Sequence, residues 1–171
     1  IELPEDEREA LDDLCEDLPD ARWTAFEQMH LTLAFLGEVD GARALDLDEE
    51  LAAIRAPRFE LRLHGVGFFP PRGEPRVLWA GFDRSEPLTT LQRQVARAAE
   101  RAGCEIERRK FHPHVTLARL RDAPPDAVAA WLASRALFRG EPFEVRSFCL
   151  FSSVLGRDGA AHSLEREYEL G

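Results

Sequence analysis

Lysine is nearly absent from this 171-residue chain: Lys110 stands alone, and the other basic side chains are arginines. Acidic residues outnumber basic ones by 32 to 22, for a formal net charge of −10. A protein that coats nucleic acid draws its affinity from neutralised phosphates and needs a broad basic surface. This composition excludes that class. It leaves room for an enzyme that touches only one end of a polynucleotide. Arginine's planar fork suits phosphate, although genome composition explains the arginine bias equally well. Cysteine is also scarce. Cys15, Cys104 and Cys149 are odd in number and show no metal or redox spacing, so they read as reduced, buried residues of a cytosolic protein. The apolar runs are too short to span a bilayer, and no charged-then-apolar targeting signal is visible. The expectation is one cytoplasmic domain over residues 1–171, large enough for a real core and with no membrane partner.

Against these absences stands one repetition. His30-Leu31-Thr32-Leu33-Ala34 and His114-Val115-Thr116-Leu117-Ala118 agree at four of five positions and begin 84 residues apart. In a strand, residues i and i+2 point the same way, so each copy sets an imidazole beside a hydroxyl on one face.

The flanking pattern repeats as well. Ile1 to Leu3 reads as the end of a strand, and Pro4 opens a helix with Leu11, Leu14, Cys15 and Leu18 on one face. His30 to Leu36 has strand character and stops at Gly37. Asp40 caps a second helix running to about Ala56, and Phe59, Leu61 and Leu63 alternate as a strand. Pro70-Pro71-Arg72-Gly73 is a turn. In the second half, Val77 to Phe82 is a strand, and Ser85 caps a helix striped with Leu88, Leu91, Val95, Ala98 and Ala102. His114 to Leu120 is a strand, Pro124 to Ser134 a helix, and Phe143 to Phe151 a strand. A last strand covers about His162 to Leu170. The reading is an α+β fold of two β-α-β-α-β halves, each with its His-x-Thr on the second strand. A duplicated unit packs with pseudo-two-fold symmetry, which brings His30 and His114 together near the axis.

Two imidazoles in opposite protonation states run general acid–base catalysis near neutral pH. The hydroxyls of Thr32 and Thr116 hold phosphate oxygens and stabilise developing charge. No third group activates either threonine, so water is the nucleophile. A phosphodiester is the substrate class that this set suits.

Together these residues resemble the two-histidine (2H) phosphoesterase superfamily, and within it the bacterial and archaeal RNA 2′,3′-cyclic phosphodiesterases, also called 2′-5′ RNA ligases. The resemblance runs over nearly the whole chain. It is carried by Met29 to Glu38, by Arg76-Val77-Leu78-Trp79-Ala80-Gly81, and by Phe111-His112-Pro113-His114-Val115-Thr116-Leu117-Ala118-Arg119. It implies a bilobal pair of mostly antiparallel sheets around a central groove, with a first strand begun before Ile1. It implies hydrolysis of a terminal 2′,3′-cyclic phosphate on RNA to a 2′-phosphate, without metal or other cofactor, and the reverse 2′-5′ ligation. His114 would be the proton acceptor that activates water, and His30 the proton donor to the departing 3′-oxygen. Thr32, Thr116 and Arg119 would bind phosphate, and Arg109 would contact substrate. The partner is an RNA 3′ end, and the expected state is a monomer. Other branches of the superfamily open cyclic phosphates of small nucleotides or act on 2′-5′ oligoadenylates, which is the alternative reading.

Several residues carry a plainer reading. Strict alternation turns Arg119 away from His114; only a twist, a bulge or the end of the strand would bring it back. Arg108, Arg109 and Lys110 form a charge run of the kind usually found solvated. His112 and His114 share a face but lack the carboxylate and spacing of a metal site. His64 and His162 read as surface or strand residues. Phe35, Trp79 and Phe111 read as core.

Overall fold

The two halves of the chain meet through equivalent segments. In the computed structural model, which describes residues 1–107, 110–156 and 159–171 and no side chains within 154–161, Leu31 forms an antiparallel bridge with Val115. Farther along, β2 (Phe59–Leu61) pairs antiparallel with β6 (Phe143–Val145), with Glu60 opposite Glu144. Glu60 and Glu144 are 84 residues apart, the interval that separates His30 from His114. At both places a residue faces its own counterpart. An antiparallel pair of equivalent strands in that register has a two-fold axis between the facing residues, so the duplication appears directly as symmetry. The Phe-Glu-Leu and Phe-Glu-Val segments carry this interval in the sequence too, outside the motifs.

The central sheet is antiparallel throughout, in the order β1 (Ala21–Trp23), β5 (His114–Leu120), β4 (Val77–Phe82), β3 (Leu63–Phe69). The first motif also lies against β5, beyond the end of β1. Its other edge is held by the chain start: Glu2 bridges His30, and Leu31 N donates to Ile1 O at 2.9 Å. A separate two-stranded ribbon, β7 (Ser147–Gly156) with β8 (Gly159–Glu169), follows β6.

Helices cover one face of this framework. The stripe of α3 (Glu86–Arg101) buries Leu88, Leu91, Val95 and Ala98, and Ser85 Oγ accepts from Leu88 N at 3.2 Å. Asp40 caps α2 (Gly41–Ala52) by accepting from Arg43 N at 3.0 Å, which satisfies one of the donors that a helix start leaves open. On α4 (Pro125–Ser134), Val128 and Trp131 are buried. Trp131 packs at 6.0 Å from Trp23 of β1 and donates its indole N–H to Leu14 O. Trp23 therefore faces the helices, and its neighbour Arg22 faces the other way.

Several expectations change, and the helix expected to reach about Ala56 ends at Ala52. The strand at His30–Leu36 shrinks to bridges at His30 and Leu31; Thr32 onward leaves the sheet. The first helix, α1, ends at Asp12, so Leu14 and Cys15 lie in the turn after it. The strand from Phe143 to Phe151 breaks at Arg146, where β6 ends in one sheet and β7 begins in another. Its buried positions Phe143, Val145 and Phe148 mark this, since they do not keep period two. β3 also differs, since it runs on to Phe69 through Gly65 and Gly67. Glycine is depleted in strands, so this stretch carries little strand signal. Gly67 is there because the Trp79 ring of β4 lies across it, and a Cβ would overlap that ring. Cys104 is buried, while Cys15 and Cys149 are only half-buried; all three are free thiols. Phe35 is 59% exposed rather than core. No helix among the described residues is long and apolar enough to cross a membrane.

Candidate active site

The Leu31–Val115 bridge decides the geometry. Both side chains are buried, at 1% and 0% exposure. Their neighbours His30, Thr32, His114 and Thr116 are half-buried and project from the opposite face. In this antiparallel register His30 stands beside Thr116, and Thr32 beside His114. Directly opposed residues have Cβ atoms about 4.5–5.5 Å apart, so two crossed His–Thr pairs form one cluster.

Each imidazole is oriented in the same way. His30 Nδ1–H donates to Gln28 O, and His114 Nδ1–H donates to His112 O, both at 2.7 Å. A backbone acceptor two residues upstream fixes the tautomer and turns Nε2 toward the groove. Thr32 Oγ–H donates to His30 Nε2 at 3.1 Å. Burial is the main cause that holds the His30 pKa below its ordinary value, and the nearby His162 lowers it further. The Gln28 carbonyl acts in the opposite direction.

Arg119 lies on the same face as these residues, contrary to strict alternation. The pairing of β4 with β5 shifts register between Leu78 and Trp79: Trp79 faces Thr116, but Val77 faces Arg119. Val77 and Trp79 share a face of the regular strand β4, so Thr116 and Arg119 share a face of β5. The extra residue is a β-bulge, which resets the phase of its strand. Burial agrees, since Leu117 and Ala118 are both buried in succession and Arg119 is exposed. Arg109 lies outside the described residues.

Aromatic rings surround the histidines. Beside His30 lie His162 at 5.4 Å and Phe151 at 6.5 Å between ring centroids, both from the β7–β8 ribbon. Beside His114 lie Phe69 at 5.0 Å and His112 at 6.1 Å, and Trp79 is 4.8 Å from His112. Trp79 is thus part of the groove floor as well as packing. A cavity of about 460 Å³ opens next to His30 and is lined by Arg8, Glu27, Gln28, Phe151 and His162 among others. His64 sits apart, paired with Asp83 at 2.7 Å. Among the described residues, no three His, Cys, Asp or Glu side chains gather as a metal site.

Residues 4–157 match the 2′-5′ RNA ligase superfamily. The chain belongs to this superfamily. An RNA 2′,3′-cyclic phosphodiesterase of Aeropyrum pernix is 38% identical over 135 residues, covering 78% of this chain and 77% of the relative. The same-named protein of Aquifex aeolicus is 32% identical over 155 residues, covering 88% and 82%. Among solved structures, apo LigT of Escherichia coli superposes with a TM-score of 0.81 at 28% identity, covering 99% of this chain and 94% of LigT. LigT complexed with 3′-AMP gives 0.80 at 30% identity over the same shares. The sheets and helices described above are thus the superfamily's fold.

Proposed function

We propose that the protein hydrolyses the 2′,3′-cyclic phosphate at an RNA 3′ end to a 2′-phosphomonoester. The observation that carries this reading is the antiparallel bridge between Leu31 and Val115, which crosses the two His-x-Thr units into one cluster. The names of the superfamily relatives support the same reaction.

Water attacks phosphorus in line with the 3′-oxygen. His114 Nε2 accepts the water proton as the new P–O bond forms. The P–O3′ bond breaks, and His30 Nε2 delivers a proton to the leaving 3′-oxygen. Thr32 and Thr116 donate to the non-bridging oxygens, where charge grows in the transition state. Arg119, on the same face three residues farther along β5 than Thr116, extends its guanidinium back to the phosphate. Free His30 is held toward its neutral form by burial. It takes up its proton with the substrate, because a bound phosphate anion favours the imidazolium. With a 5′-hydroxyl in place of water, the same geometry makes a 2′-5′ bond.

The test is product analysis on an RNA ending in a 2′,3′-cyclic phosphate, with and without EDTA. A 2′-phosphate should form at equal rates in both. His30→Ala and His114→Ala should each remove at least about 10²-fold of the activity, the scale of general acid–base catalysis. Full activity in both variants would exclude the mechanism.

A further inference from the structure

Arg22 has no place in the reaction as described, yet its position is specific. It faces Arg119 directly in the β1–β5 pairing, and both are exposed. It points away from the helices, because its neighbour Trp23 packs against Trp131. Directly opposed residues on a sheet project from the same face, so the two guanidinium groups extend over the same stretch of it.

The groove floor therefore has three successive ranks. Thr32 lies beside His114, His30 beside Thr116, and Arg22 beside Arg119. Nine positions separate Arg22 from Leu31, against four between Arg119 and Val115. The surplus is looped out around the 3₁₀ turn Phe26–Gln28, and this brings Arg22 back to the same strand edge. A strand advances about 3.3 Å per residue, so the arginine rank lies roughly 7–10 Å from the His30 rank, about one nucleotide step.

We propose that Arg22, beside Arg119, holds the phosphodiester immediately 5′ of the cyclic phosphate, so that the RNA strand leaves the site over His30. This rests on the hydrolase reading above and extends it. His30 serves the 3′-oxygen of the terminal ribose, so the nucleoside lies on the His30 side. The cavity beside His30, with Arg8, Phe151 and His162 on its walls, is on that side too. The water, or an incoming 5′-hydroxyl, enters over His114. The protein thereby recognises a polynucleotide end in preference to a cyclic mononucleotide.

The test compares kcat/KM on a cyclic-phosphate-ended trinucleotide with that on a 2′,3′-cyclic mononucleotide, in wild type and Arg22→Gln. A third substrate is the trinucleotide with an uncharged methylphosphonate at its last internucleotide linkage. Wild type should prefer the charged trinucleotide. Arg22→Gln should cut that preference about tenfold, on the scale of a charge-assisted hydrogen bond. The methylphosphonate should cut it similarly in wild type and add little in Arg22→Gln, because both remove one interaction. An unchanged preference in Arg22→Gln, or equal methylphosphonate effects in both proteins, overturns the proposal. If Arg22→Gln does not fold, the wild-type methylphosphonate comparison decides alone: no effect overturns it. Wild type that opens neither cyclic phosphate fails the hydrolase reading itself, a separate result.

Discussion

Leu31 and Val115 face each other across the two-fold axis, each the middle residue of a His-x-Thr unit. Neither touches substrate in the proposed reaction. Their side chains anchor in the core, and the two histidines and two threonines stand on the reverse of that anchor. The core and the site are thus two faces of the same six residues.

Thr32 is coupled to His30 in a way that gives a pH signature. The Thr32 hydroxyl donates to His30 Nε2, and such a bond favours the neutral ring. Burial also holds the His30 pKa below its ordinary 6.5. As the proton donor, His30 must be protonated, so the alkaline limb of wild-type kcat/KM should fall below pH 6.5. The limb for kcat should sit higher, because bound phosphate favours the imidazolium. In Thr32→Ala the alkaline limb of kcat/KM should move up and kcat drop about 10²–10³-fold. Thr116→Ala should show a comparable drop with the limb in place. A limb that stays put in Thr32→Ala contradicts the coupling.

Arg119 tests the bulge. If it shares the groove face with Thr116, as the register shift requires, then Arg119→Ala should lower kcat/KM about tenfold or more. Arg119→Lys should recover only part, since an ammonium lacks the planar fork. Steady-state kinetics on a cyclic-phosphate substrate decides this, and wild-type values in Arg119→Ala would remove the residue from the site.

Gly67 is required by its neighbour. A Cβ there would run into the Trp79 indole, whose ring lies 4.8 Å from His112 and 5.5 Å from Phe69. Gly67→Ala should cost about 1–3 kcal/mol, the usual cost of overpacking, read as a lowered thermal midpoint. It should also reduce kcat, because the displaced ring pushes on the wall around His114. Unchanged stability would mean that Trp79 has another position available.

Glu7 is buried at 5% exposure. Its Oε1 accepts from Glu141 N at 3.1 Å, while Oε2 has no hydrogen-bond partner among the described residues. Burial raises its pKa above 4.5. The folded protein therefore keeps the proton to higher pH than the unfolded chain does, and this contribution to stability is lost as pH rises through the raised value. Glu7→Gln should be more stable than wild type at pH 8, by about 1 kcal/mol, with the advantage fading toward pH 4. Denaturant titration at both values checks the sign.

Several local features were legible without coordinates because short-range chemistry controls them. The caps at Asp40 and Ser85, the stripe of α3 and the strands Val77–Phe82 and His114–Leu120 follow from hydrogen-bonding residues at helix starts and from apolar period. The resemblance to the superfamily was legible in the paired motifs. Other features had no local signal. Gly65 and Gly67 argue against a strand, and only the tertiary structure shows Trp79 laid across Gly67. The excursion that returns Arg22 to the edge of β5 reads as an ordinary loop.

The sequence by itself determined that two His-x-Thr units exist 84 residues apart, within repeated element orders, because a repeat survives in residue identity and period. Only the tertiary structure decided that their middle residues face each other, that Arg22 stands opposite Arg119, and that a bulge turns Arg119 onto the groove face. Each of these depends on register between segments distant in the chain. A one-residue slip sends a side chain to the other face, and nothing local to Arg119 records it.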